Sequence, residues 1–128
     1  MEYSVKRTHY VKGTYKTLTY WIQNDSIVVT KYSTNGRPPK LVYSNILNTK
    51  QKNKLAEILN SFDLPKMENE YIDENVEGEG HYVYDIKIGQ DFKSILVYFV
   101  VVPDLKKLDV FINELILPVD QNSWYEWY

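Results

Sequence analysis

The sequence has no cysteine and only two histidines, and these shortages remove most of the side chains that enzymes use. Without cysteine there is no disulfide framework, no catalytic thiolate and no thiolate ligand for a metal. Zinc sites and proton-transfer sites usually include histidine, and here His9 lies in one predicted strand and His81 at the start of another, after the acidic connection. We therefore expect a chain that is not an enzyme, with no catalytic residues, no metal site and no cofactor.

Motifs for phosphate binding and covalent catalysis are also missing. The closely spaced glycines, Gly78 and Gly80, lie in acidic sequence that would repel a phosphate group. No serine stands at a strand–helix turn in the pattern Gly-x-Ser-x-Gly. Asp73 opens a stretch that begins like a calcium-binding loop, but Tyr84 takes the twelfth position, where a bidentate glutamate is needed. We therefore expect no high-affinity calcium site.

Long apolar segments are absent as well. The longest apolar run, Ile95–Pro103, is too short to cross a bilayer. The first eleven residues lack the apolar stretch of a signal peptide. We expect no membrane span and a cytoplasmic location; a leader removed from ahead of this sequence would make the location periplasmic or extracellular.

What is present is enough for one globular domain. The chain has 128 residues, of which 44% are hydrophobic and 25% charged, values that allow a core without external staples. We expect residues 1–128 to form a single soluble domain. Twelve tyrosines and three tryptophans exceed what the core needs. The aromatic tail Trp124–Tyr128 is predicted either to fold back over an exposed edge or to bind a partner.

The first 47 residues predict an antiparallel meander. Leu18, Tyr20 and Ile22 share one face of a strand, with the period of two that marks a sheet. Residues 24–25, Asn-Asp, supply a two-residue turn, and residues 35–39 break the chain because proline cannot donate to a ladder. The four predicted strands are Tyr3–Val11, Thr14–Gln23, Ser26–Thr34 and Leu41–Leu47.

Two helices and a hairpin follow. Apolar stripes at helical spacing predict helices over Lys50–Phe62 and Asp104–Leu117. The first has Asn48 or Thr49 as its N-cap. Between them, residues 82–88 and 92–102 predict a hairpin, whose second strand is apolar on both faces and is therefore expected to be central. The predicted core comprises Leu55, Ile58, Leu59, Leu108, Phe111, Ile112 and Leu115, packed against Ile95, Val97 and Phe99.

The resulting order, ββββ-α-ββ-α, predicts an α+β fold. Its antiparallel sheet should have about six strands, with the two helices packed on one face. The connection Lys66–Gly80 is polar and acidic. We predict an exposed loop there, with a short helical turn near Met67–Tyr71.

Charge is divided unevenly along the chain. Residues 1–54 hold ten Lys/Arg and two Asp/Glu, a net charge of +8, whereas residues 55–128 hold five and fifteen, a net charge of −10. The two halves either neutralise each other in the fold or mark a charged partner. Tyrosine is enriched in protein interfaces, so the acidic loop and its aromatic neighbours form the predicted binding site. Its residues are Glu68, Glu70, Tyr71, Asp73, Glu74, Glu77, Glu79 and Tyr82.

These features favour a non-enzymatic protein-binding module with a basic protein partner. In size, acidity and lack of catalytic residues, the chain is similar to small bacterial immunity proteins, which neutralise toxins by masking cationic active sites. One alternative is a sheet that binds single-stranded nucleic acid, because aromatic residues interleave with cations; the acidic pI of about 5.7 argues against it. Another is a small-ligand or carbohydrate binder that stacks on tyrosine and tryptophan. The cations of the nucleic-acid alternative are Lys6, Arg7, Lys12, Lys16, Lys31, Arg37 and Lys40.

Overall fold

The computed structural model describes residues 2–10, 16–33, 38–73, 81–98 and 100–116, with Lys16 and Ser33 described by their backbone. Within these ranges the elements follow the order ββββ-α-βββ-α, which confirms the predicted α+β class. The strands are β1 (Tyr3–Tyr10), β2 (Lys16–Gln23), β3 (Ser26–Ser33), β4 (Lys40–Ile46), β5 (Glu70–Ile72), β6 (His81–Ile88) and β7 (Asp91–Tyr98). The helices are α1 (Thr49–Asn60) and α2 (Pro103–Ile116), and a 3₁₀ turn (Leu64–Lys66) lies between α1 and β5.

The seven described strands form one sheet in the order β4-β3-β2-β1-β6-β7-β5. Neighbours are antiparallel except β5 and β7, which are parallel. The predicted central position of residues 92–102 is wrong, because β1 is central and β7 is second from an edge and ends at Tyr98. The apolar run arises because Ile95 and Val97 are buried beneath the helices, while Leu96 lies on the opposite face, directly opposite Val83 of β6.

Strand β5, which the sequence did not predict, lies in the connection that we predicted to be a loop. The expected helical turn at Met67–Tyr71 is wrong: the turn comes earlier, and β5 follows it. Two backbone hydrogen bonds of 2.9 Å flank β5, one from the Leu96 N–H to the Asn69 carbonyl and one from the Asp73 N–H to the Tyr98 carbonyl. A strand of three residues gains its order from its partner, so periodicity in its own sequence could not predict it.

Two tight turns set the hairpins. Asn24 and Asp25 have φ of 52° and 67°, the left-handed conformation that a type I′ hairpin turn requires at both central positions. Their short polar side chains tolerate that conformation, and the predicted turn is confirmed. In the β6–β7 turn the positive φ of 60° falls on Gly89, which has no Cβ to clash.

Helix α1 begins with a capping box. The Asn48 side chain accepts a hydrogen bond of 2.8 Å from the Gln51 N–H, and the Gln51 side chain accepts one of 2.8 Å from the Asn48 N–H. The prediction of an N-cap at Asn48 is thereby confirmed. The helix ends two residues before the predicted Phe62, because the Ser61 N–H returns to the Ile58 carbonyl at 3.1 Å and closes a tight last turn.

Both helices pack on one face of the sheet. The predicted core positions of α1 and α2 are buried there, except Leu115, which is half-buried. Of their predicted partners in the sheet, Ile95 and Val97 are buried, and Phe99 lies outside the described residues. The sheet supplies buried side chains from β1, β2, β3, β6 and β7 to this core. We call the opposite side of the sheet the open face, because no described helix covers it. Among the described residues, neither helix is long and apolar enough to cross a membrane.

Candidate functional site

The open face concentrates the exposed apolar surface of the described chain. Nine large apolar or aromatic side chains are exposed among the described residues, and strand pairing assigns seven of them to this face. The other two, Val101 and Val110, lie before and within α2. A sheet face on which exposed apolar side chains are concentrated is a candidate interaction site. The seven are Tyr10, Trp21, Tyr32, Leu41, Ile46, Ile72 and Phe92.

Trp21 is fixed on this face by two neighbours from β1. Its indole Nε1 donates a hydrogen bond of 3.3 Å to Ser4 Oγ. The Lys6 ammonium lies 5.6 Å from the ring centroid, within the range of a cation–π interaction. An exposed aromatic ring that is already ordered loses little conformational entropy when a partner covers it, so Trp21 is suited to anchor a complex.

A second aromatic group crosses the open face. The rings of Tyr10 and His81 stack at 4.6 Å with an interplanar angle of 12°, and Tyr98 lies 5.6 Å from His81. Tyr98 is in turn opposite Ile72 in the β5–β7 pairing. Burial lowers the pKa of His81 below its ordinary value of 6.5, which favours the neutral imidazole. The row therefore extends from β1 to β5 as an uncharged surface.

Threonines separate the Trp21 group from the tyrosine–histidine row. Thr8, Thr19 and Thr30 are direct neighbours on β1, β2 and β3. Their hydroxyls are polar without being charged, and their methyl groups suit a pleated, half-buried surface. Thr8 is buried at 8% exposure, whereas Thr19 and Thr30 are half-buried, so the last two are the threonines that a partner would contact.

Charges on the open face are few and balanced. The strand registers assign to it the cations Lys6 and Lys87 and the carboxylates Glu70 and Asp85, within the described part of the chain. Lys6 lies directly opposite Asp85 in the β1–β6 pairing. A phosphate backbone is bound by several cations along one track, whereas the described strands place two cations on this face.

The strand period divides the basic and aromatic residues of the nucleic-acid alternative between two faces. Arg7 and Lys31 are buried on the helix-covered side, as is Tyr20 between them in the sheet. Lys12 and Arg37 lie outside the described residues. The interleaving that is visible in the sequence therefore does not become one basic, aromatic surface in the described strands.

The predicted acidic and aromatic site is distributed over three places. Glu68 and Glu70 are exposed beside and within the edge strand β5, and Asp73 is half-buried just after it. Tyr71 and Tyr82 are half-buried on the helix-covered side, where both are register partners of Val97. The remaining predicted residues lie outside the described ranges, as does the aromatic tail; they are Glu74, Glu77 and Glu79.

Both tyrosines of that predicted site have partners within the fold. The Tyr71 hydroxyl accepts a hydrogen bond of 2.9 Å from the Glu68 N–H. Tyr82 stacks on His9 with the ring centroids 4.5 Å apart. The pKa of His9 is lowered from 6.5 mainly by burial and further by the nearby cation of Arg7 and by His81. These contacts give the two tyrosines a structural role in addition to any contact with a partner.

A buried polar cluster joins β1 and β6 to α2. Arg7 donates to Asp109 Oδ1 at 3.0 Å and to Asn113 Oδ1 at 3.4 Å, and the Tyr84 hydroxyl donates to both Asp109 oxygens at 2.8 and 2.9 Å. Burial, followed by the Asp109 carboxylate, raises the pKa of Tyr84 far above its ordinary value of 10, so Tyr84 stays protonated as a donor. Through these hydrogen bonds Asp109 holds α2 against β1 and β6.

A cleft lies at the end of the sheet that holds the β2–β3 turn, and its lysines are close to its own carboxylates. Its volume is about 500 Å³. Both lysines that line it face carboxylates of the same cleft, Lys52 with Asp25 and Lys87 with Glu2, each at 3.9 Å. Among the described residues no three His, Asp or Glu side chains come together as a metal-binding group. Of the predicted calcium-loop stretch, residues 73–84, the structure describes Asp73 and residues 81–84.

No protein-family model matches the sequence, and the comparison with curated proteins finds no relative. The function proposed below is therefore inferred from the described surface of the chain.

The predicted binding site includes none of the seven exposed residues of the open face, and four of the seven belong to no predicted site at all. Leu41, Ile46, Ile72 and Phe92 are exposed apolar residues that we did not assign to a site. The signal was the alternation of the strands: once Leu18, Tyr20 and Ile22 define the buried side, apolar residues of opposite parity must face away from it.

Proposed function

We propose that the chain is a non-enzymatic protein-binding module whose partner docks on the open face. The observation that supports the proposal is the placement of seven of the nine exposed large apolar side chains of the described residues on that face. Aromatic side chains dominate the energetic centres of protein interfaces, and Trp21 and Tyr10 are exposed and already ordered by neighbours.

The partner should present an apolar centre with a basic rim. The centre follows from the balanced charge of the open face, since a strongly charged partner would gain little there. The basic rim follows from the β5 edge, where Glu68 and Glu70 are exposed and where the acidic connection from β5 to β6 begins. An inhibitor of the immunity type, which masks a basic site of a toxin, is the narrower form of this proposal.

The experiment compares open-face variants with a matched surface variant. The tagged full chain captures its partner from the cells that encode it, and the purified partner is then titrated by calorimetry. Trp21→Ala should weaken binding by on the order of 2 kcal/mol, about 30-fold, if Trp21 is an interfacial anchor. Val101→Ala changes an exposed valine outside the sheet and should leave affinity unchanged. A partner that binds the Trp21 variant with full affinity would refute the proposal.

Other occupants give different results in the same series. Single-stranded oligonucleotides would bind with an affinity that falls steeply with salt, because phosphate contacts release counterions. A carbohydrate, the second candidate favoured by the exposed rings of Trp21 and Tyr10, would quench tryptophan fluorescence in titrations with oligosaccharides. Self-association through the open face would appear as a concentration-dependent mass in sedimentation that Trp21→Ala abolishes. Any of these results in place of a protein partner would replace the proposed function.

A further inference from the structure

A groove between α1 and α2 lies on the side of the molecule away from the open face. Its volume is about 620 Å³, and both helices line it. Helix α1 contributes Lys54, Glu57 and Ile58, and α2 contributes Lys106, Lys107 and Val110. The open-face proposal does not use any of these residues, so the groove is a separate feature of the surface.

The floor of the groove is apolar and partly uncovered. Ile58 is buried in the core, whereas Val110 is 48% exposed, although it stands on a helix that buries five other apolar side chains. An exposed valine on a helix is ordinary by itself. Here it adjoins the seam between two helices, so that a side chain inserted into the groove would contact both Val110 and Ile58.

The rim of the groove is cationic. Three of the lining residues are lysines, against one carboxylate, that of Glu57. Lys107 lies 3.8 Å from Asp104, a surface pair that contributes little. Within the described part of the chain no ion pair engages Lys54 or Lys106. The rim therefore has cations available to an incoming carboxylate.

We infer that this groove binds an acidic, amphipathic helix of a partner protein. Except for Ile58 the lining residues are exposed, so the groove is too open to enclose a small ligand, whose surface is usually buried by about 70–90%. A seam between two helices accepts the side-chain ridges of a third, which is how helix-in-groove complexes form. Apolar side chains of the incoming helix contact Val110, and its acidic residues face Lys54 and Lys106.

The test uses two synthetic helical peptides and the full chain. One peptide carries leucine at every fourth position, flanked by glutamate on an alanine background; the other is identical except that lysine replaces glutamate. Each is titrated into isotope-labelled protein, and amide resonances are followed by NMR. The acidic peptide should bind saturably and shift the resonances of residues 54–61 and 103–110. The basic peptide should not bind.

Substitutions separate the two contributions. Val110→Ser should weaken the acidic peptide about tenfold by removing apolar contact, whereas Val101→Ser, at another exposed valine outside the groove, should change nothing. Lys106→Gln should weaken it about two- to fivefold and reduce its salt dependence. The inference is overturned if neither peptide shifts the groove resonances, if both bind equally, or if the shifts lie on the open face instead.

Discussion

The burial of the charged Arg7 side chain requires a partner for its charge within the fold. Its guanidinium is buried on the helix-covered side, 4.3 Å from the Tyr20 ring centroid and 5.6 Å from that of Tyr82. A buried charge must be paired, since an unpaired one loses its hydration without compensation. Among the described residues its Nε has no acceptor, so the hydrogen bonds to Asp109 and Asn113 carry the compensation.

Removing that carboxylate should destabilise the fold. Asp109→Ala leaves Arg7 buried without its ion-pair partner and also removes the acceptor of the Tyr84 hydroxyl. Because about a third of the Asp109 side chain is exposed, we expect a loss near the lower end of the usual range, about 3 kcal/mol, in urea denaturation. Asp104→Ala, on the same helix, removes an exposed pair with Lys107 and should cost under about 1 kcal/mol. Equal losses in the two variants would contradict this assignment.

His9 predicts how stability should vary with pH. Its pKa in the folded chain is below the ordinary 6.5, so the unfolded chain takes up the proton first as pH falls. The contribution of His9 to the free energy of unfolding is full above about pH 6.5, decreases as pH falls through that value, and levels off below the folded-state pKa. His9→Phe keeps an aromatic ring against Tyr82 but cannot titrate. Urea denaturation at a series of pH values should show a flatter profile for this variant.

The matching substitution His81→Phe serves as a comparison. The pKa of His81 is lowered by burial, so its removal should flatten the profile in the same direction. If the wild-type profile between pH 7 and 5 is unchanged by both substitutions, the two histidines do not couple to folding.

At the scale of elements, the capping box should set the stability of α1. Asn48→Ala removes the acceptor for the Gln51 N–H and should lower the free energy of unfolding by about 1 kcal/mol. The control is Asn53→Ala, an exposed position within α1 where alanine has the higher helix propensity. Thermal denaturation should therefore show a lower midpoint for the first variant and an unchanged or raised midpoint for the second. A loss of similar size at both positions would argue against the capping box.

Elements with their own periodicity could be predicted from the sequence. β2 follows an alternation that includes Leu18, Tyr20 and Ile22, and these three are buried as that pattern requires. The apolar stripes of α1 and α2 likewise predicted the faces that pack on the sheet. The β5 strand could not be predicted in this way, because its register depends on backbone groups of β7 more than twenty residues further along the chain.

The site was harder to predict than the fold because its elements are separated in sequence. Composition showed too many aromatic residues for a core, but the sequence did not order the strands in the sheet. Only that order brings Tyr10 of β1 beside His81 of β6, and His81 beside Tyr98 of β7. The burial of Arg7 was a signal in the sequence that we did not use. Arg7 has the same parity in its strand as the apolar Val5, and a charged residue at such a position requires a buried partner.

At the scale of the whole molecule, the uneven charge of the two halves is in part neutralised within the fold. Arg7 of the basic first half pairs with Asp109 of the acidic second half. Lys87 of the acidic half in turn faces Glu2 of the basic half. Exposed charges then differ between regions, with lysines at the helix groove and carboxylates at the β5 edge. The proposed open-face partner, with its basic rim, and the proposed acidic helix would therefore approach the molecule from opposite sides of the sheet.

A substitution on the helix-covered side of the sheet should affect stability, whereas one on the open face should affect binding. Leu59 of α1 is fully buried against the helix-covered side of the sheet, whereas Leu41 of β4 is 58% exposed on the open face. Leu59→Ala should lower the free energy of unfolding by about 2–5 kcal/mol, the usual effect of emptying a core leucine site. Leu41→Ala should change it by no more than about 0.5 kcal/mol, because little apolar area there is removed from water on folding. Urea denaturation measures both values.

Partner affinity should follow the opposite order. At a temperature where both variants are folded, Leu41→Ala removes apolar surface that the partner would cover, so its affinity should fall while Leu59→Ala binds like the wild-type chain. Because the two substitutions delete the same atoms, their comparison controls for side-chain chemistry and isolates position. A Leu41 variant that loses as much stability as the Leu59 variant would mean that the open face is covered in the folded chain. It would then be part of the core, and docking would have to occur elsewhere.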